Sequence, residues 1–168
     1  MKRVGNKGPQ STYEKLSAEG YKAKQELMQR KKVSVSEKGI TYILNTNDKG
    51  SVVYSVDGCI IKEGRKCDKL VLIRPANDAN SPEEWIEIFV ELKGTDISTA
   101  IEQLRETLKN QLFKDESNID IRARIIGKSF PSHKSNSIME KAKISFKKEF
   151  SCELRGLKSK QVENLIKK

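Results

Sequence analysis

Glu91 and Lys93 stand two residues apart in the stretch IFVELKGTD (88–96), and Asp68 stands just before the apolar run LVLI upstream. Side chains on one face of a β-strand recur at every second residue, so Glu91 and Lys93 point the same way with Cα atoms about 7 Å apart. If the strand that Asp68 begins pairs antiparallel with this one, two carboxylates and an amine converge at one end of a sheet. Adjacent carboxylates repel unless a cation sits between them. An all-oxygen set of this kind suits Mg²⁺ or Mn²⁺, which take one or two carboxylates, waters and substrate phosphate. A cation so held polarises a phosphodiester and lowers the pKa of bound water, while the amine orients that water or offsets charge developing on phosphorus. The competing reading is a solvated face with a cross-strand ion pair.

The elements that must position these residues are visible as patterns. WIEIFVELK (85–93) alternates strictly, with Ile86, Ile88, Val90 and Leu92 on one face and Glu87, Phe89, Glu91 and Lys93 on the other. Asp96 is placed to cap a helix whose apolar positions are Ile97, Ile101, Leu104 and Leu108. IDIRARIIG (119–127) reads as a strand with Ile119, Ile121, Ala123 and Ile125 inward and Arg122 and Arg124 outward. KCDKLVLIRP is a strand stopped by Pro75, and Asp57-Gly58 suggests a hairpin turn inside SVVYSVDGCII. Upstream, STYEKLSAEGYKAKQELMQRKK carries a capping box at Ser11 and Glu14 and an apolar stripe at Leu16, Ala23 and Leu27, which predicts one helix weakened at Gly20. ITYIL reads as a short strand and NTNDKG as a loop. In the tail, SFPSHKSNS reads as a loop, AKISFKKEFSCEL as a strand and SKQVENLIKK as a short closing helix.

This order predicts an α/β protein, a small mixed sheet flanked by helices. The 168 residues suit a single domain, with a core over about 11–127 and a basic extension over 128–168. Net charge is +10 and unevenly spread: residues 1–32 hold nine Lys/Arg against three Asp/Glu, and 128–168 hold eleven against four, leaving a mildly acidic centre. Basic ends around an acidic pocket suit a polyanion partner. No run of 18 apolar residues and no secretory pattern occurs, so the expected location is cytoplasmic, with no membrane partner. Cys59, Cys67 and Cys152 form no C-x-x-C pair and read as ordinary thiols. His133 is the one histidine, which leaves little room for a zinc site or a histidine-based triad. No phosphate-binding or dinucleotide glycine motif is present.

CDKLVLI followed by FVELKG resembles the Asp and Glu-x-Lys halves of the PD-(D/E)XK nuclease superfamily, and the element order resembles its αβββαβ, restriction-endonuclease-like core. The resemblance implies a Mg²⁺- or Mn²⁺-dependent nuclease, with Asp68 and Glu91 as metal ligands, the Leu92 carbonyl beside them, and Lys93 as the catalytic lysine. It also implies a role for Gln103 on the following helix. Thr107 stands where one branch has a tyrosine, and Cys67 occupies the position of the proline in the motif's name. Some branches place a glutamate on the first helix, for which Glu14, Glu19 and Glu26 are the candidates. The partner implied is nucleic acid, DNA before RNA, with Arg122, Arg124 and Lys128 contacting phosphates. A homodimer would suit double-strand cleavage. The alternative is a non-catalytic nucleic-acid-binding subunit of the same fold.

Overall fold

The computed structural model describes residues 11–64, 66–75, 84–92, 96–128 and 137–165. Helix α1 (Thr12–Ala18) leads into strands β1 (Gln25–Gln29), β2 (Lys32–Glu37), β3 (Ile40–Asn45), β4 (Gly50–Ser55), β5 (Lys69–Arg74) and β6 (Trp85–Leu92). Helix α2 (Ile97–Leu108), a 3-10 turn (Gln111–Phe113), β7 (Asn118–Gly127), helix α3 (Ser137–Phe150), β8 (Cys152–Lys158) and β9 (Val162–Asn164) follow. One mixed sheet has the order β1-β4-β5-β6-β7-β8, and a second has the order β2-β3-β9. Strands β4, β5 and β6 are antiparallel neighbours, whereas β6, β7 and β8 run parallel. Parallel neighbours require long crossovers, and α2 and α3 supply them.

The alternation in β6 divides the core. Trp85 and Phe89 face the helices, with Leu16, Leu104, Phe113 and Phe146 packed in the same layer. Ile86, Ile88, Val90 and Leu92 face the second sheet, against Val33, Tyr42 and Leu44. All eight residues of β6 are buried, as expected of a central strand covered on both faces. The molecule is therefore an α/β protein of three layers, with the helices on one side of the large sheet. Among the described residues no helix is long and apolar enough to cross a membrane.

Several sequence expectations are corrected. The first helix does not run to Lys32. Gly20, at φ +81°, ends it in a Schellman motif in which Tyr21 N–H donates to Leu16 O and Gly20 N–H to Ser17 O. The residues beyond become β1, so Glu26 lies on a strand and Glu19 is the exposed C-cap. Asp57-Gly58 makes a local turn closed by Ile60 and Ile61 N–H on Val56 O, and β4 pairs with β5 instead of with the CII run. A true hairpin turn falls at Lys38-Gly39, both left-handed, between β2 and β3. The tail is also different: 137–150 is helix α3, and the predicted closing helix contains strand β9. Residues 137–165 extend both sheets rather than forming an appendage.

Candidate active site

The register between β5 and β6 pairs Lys69 with Val90, which brings Asp68 opposite Glu91 at the end of the antiparallel pair. Backbone bonds hold the pair in place: Asp68 N–H donates to Val90 O at 3.2 Å, and Leu92 N–H donates to Asp68 Oδ2 at 2.8 Å. Leu92 thus contributes its amide to the pair, fixing the orientation of the Asp68 carboxyl. Glu91 is 1% exposed, and the Asp68 carboxyl hydrogen-bonds it. Burial raises the Asp68 pKa above the ordinary carboxylate value, and the Leu92 and Glu91 hydrogen bonds pull it partly back. Two touching carboxyls need either a shared proton or a cation. Oxygen-only donors, one of them held by a backbone amide, fit a hard divalent ion, and among the described residues Asp68 and Glu91 are the donor set available to it, since no group of three or more His, Cys, Asp or Glu gathers there.

Helix α2 braces this pair. Cys67 N–H donates to Thr107 Oγ1 at 2.9 Å, and the Thr107 hydroxyl donates to Gln103 O at 2.8 Å. The first link ties the residue before Asp68 to the helix. The Cys67 thiol is fully buried; burial first, and the neighbouring Glu91 charge second, push its pKa up, which makes it an inert core group. Gln103 lies one turn before Thr107, half-buried, and its Oε1 is buried without a hydrogen-bond partner among the described residues. Thr107, which the sequence marked as a missing tyrosine, is therefore a positioning residue. Lys69 is another residue that alternation alone did not reveal: it is 7% exposed and its Nζ lies 3.1 Å from Glu37 Oε2, putting an ion pair beside Asp68.

The carboxyl ends of the parallel strands lie at the same end of the sheet. Leu92 is in register with Ile126, and Gly127 with Lys158, so exposed Lys128 and Lys158 stand beside the end of β6 that carries Glu91. Open α/β sheets place ligands outside such carboxyl ends. Arg122 and Arg124 do not reach this surface. They point to the face predicted for them, but the second sheet covers it: Arg124 is fully buried and Arg122 is 8% exposed. Arg124 Nε bonds both Glu163 oxygens at 2.9 Å, and Arg122 Nη2 bonds Asp120 at 2.9 Å. These arginines join the two sheets. Lys93, Gly94 and His133 lie outside the described residues. A second carboxyl missed by the chemistry-first reading, Glu87, is 1% exposed on the Glu91 face of β6, where Asn118 Nδ2 donates to it at 3.3 Å.

Compared with family models, with curated proteins and with solved structures, the chain gives no significant match.

Proposed function

We propose that the chain is a metal-dependent nuclease hydrolysing phosphodiester bonds in nucleic acid, with DNA the favoured polymer and endonucleolytic cleavage the favoured mode. The observation that carries this reading is the direct opposition of half-buried Asp68 and buried Glu91, hydrogen-bonded to each other at the end of the β5–β6 pair. The succession α1, β4–β5–β6, α2, β7 supports a restriction-endonuclease-like core, with β1 to β3 inserted between α1 and β4 and α3, β8 and β9 added after β7. Asp68 and Glu91 would hold Mg²⁺ or Mn²⁺, which when bound polarises the scissile phosphate and activates a water. Leu92 N–H fixes the Asp68 carboxyl, Thr107 anchors the chain entering it, and Gln103 offers a buried carbonyl on the same flank of α2. Lys93 supplies the catalytic amine on this reading. Lys128 and Lys158 offer backbone contacts without reading sequence. A cytoplasmic location belongs to the same proposal.

The test is incubation of the purified chain with supercoiled plasmid, single-stranded DNA and RNA in Mg²⁺, Mn²⁺ or EDTA, beside Glu91→Ala and Lys93→Ala. Cleavage that needs the metal and vanishes in both variants supports the nuclease. Salt-sensitive binding without cleavage, unchanged in the variants, overturns it in favour of the non-catalytic subunit.

A further inference from the structure

At the opposite end of the large sheet, and on its other face, lies a cavity of about 480 Å³ between the two sheets, a volume typical of small-molecule sites. Ile86, Pro75 and Leu165 give it an apolar wall, and Arg122 and Lys49 give it two cationic groups. Arg122 is more than nine-tenths buried. Its Nε and Nη2 are bonded to Asp120, and Nη2 also to Leu165 O, but its Nη1 is buried with no acceptor among the described residues. Buried guanidinium N–H groups without an acceptor are rare in folded proteins and call for a ligand, ion or water.

The charge of the surrounding groups sets the ligand's charge. Asp120 and Glu153 also line the cavity. Glu153 is paired with Arg124 at 2.9 Å and Arg155 at 3.3 Å, and both arginines also pair with Glu163. Among the described residues, Arg122, Lys49 and the two paired arginines make four cations against the three carboxylates Asp120, Glu153 and Glu163 in and next to the lining, an excess of one. A doubly charged phosphate monoester would meet two carboxylates at close range, whereas a single negative charge matches the excess.

We propose that this cavity binds a small organic ligand carrying one singly charged oxyanion on an apolar or flat body, the oxyanion held between Arg122 Nη1 and Lys49 and the body lying against Ile86, Pro75 and Leu165. The phosphodiester of a dinucleotide and the carboxylate of an aromatic acid share this chemistry. The site is independent of the Asp68–Glu91 pair.

The experiment is calorimetric titration of the full chain with thymidylyl-thymidine and, separately, with 2-naphthoate. It is repeated on Lys49→Glu, a half-buried surface change, and on Asp68→Ala. Saturable binding of either probe, weakened tenfold or more in Lys49→Glu and unchanged in Asp68→Ala, supports the site, and the probe that binds identifies the oxyanion. Failure of both probes, binding undiminished in Lys49→Glu, or binding lost in Asp68→Ala overturns it.

Discussion

Replacing Glu163 with alanine tests how the second sheet is fastened beneath the site. Glu163 is 6% exposed; it takes two 2.9 Å bonds from fully buried Arg124 and one of 2.6 Å from the Tyr42 hydroxyl. Burial alone would lower the Arg124 pKa, but Glu163 outweighs it and the guanidinium is held above its usual value. Removing one partner of a buried pair costs about 3–5 kcal/mol. Half-exposed Glu153 stays 2.9 Å from Arg124 Nη2, which argues for the lower figure of about 3 kcal/mol. Tyr42, 1% exposed, loses its acceptor, adding about 1 kcal/mol. The total of about 4 kcal/mol corresponds to a Tm fall of roughly 8–16 °C for a chain of this size. Urea unfolding with a matched thermal melt measures it, and Glu140→Ala, which breaks only an exposed i,i+3 pair with Lys143, should cost less than about 0.5 kcal/mol. A loss under about 1 kcal/mol in Glu163→Ala would show that the pair does not join the sheets as described.

Three further outcomes follow from local chemistry. Burial raises the Glu87 pKa well above the carboxylate norm, with the Thr12 hydrogen bond and the Lys15 charge opposing it and Asp115 adding to it. The ionised form is therefore disfavoured on folding: the stability that Glu87 contributes is present below its unfolded pKa and lost as pH rises through the folded value. Glu87→Gln should match the wild type in urea unfolding at pH 4 and exceed it at pH 7; equal stability at both would refute the sign. Thr107→Val leaves the Cys67 N–H without its acceptor and should cost about 1–3 kcal/mol, with kcat falling more than substrate affinity if Thr107 positions Asp68. Gly20→Ala meets no atom within 4 Å, so its cost is backbone strain alone, about 1–2 kcal/mol by denaturant titration; a neutral result would argue against the left-handed helix end.

The central elements were legible because their patterns are local. Strict alternation in 85–92 separated Phe89 and Glu91 from Ile88 and Val90, and the structure buries them on the two faces so defined. Asp96, Ile97, Ile101, Leu104 and Leu108 gave α2 in the same way. The opposition of Asp68 and Glu91 needed only one added assumption, antiparallel pairing. What failed was set by distant partners. Alternation gave Arg122 and Arg124 the right face, but their burial depends on Glu163, 39 residues from Arg124, within a segment that reads as helix and folds as β9. The α3 error was avoidable: Met139, Ala142 and Phe146 are buried at helical spacing, and exposed Ile144 beside Phe146 gave a false alternation. At the first helix, the periodicity of Leu16, Ala23 and Leu27 ran across Gly20, whose left-handed backbone outweighed it.

The most direct test of the Asp68–Glu91 pair as a cation site is a Mn²⁺ titration followed by electron paramagnetic resonance, on the wild type and on Asp68→Ala and Glu91→Gln, with circular dichroism checking the fold of each. The account predicts saturable Mn²⁺ binding that Mg²⁺ displaces and that either substitution abolishes while the fold persists. Binding that survives in both folded variants, or a wild-type chain that binds no Mn²⁺, would contradict it.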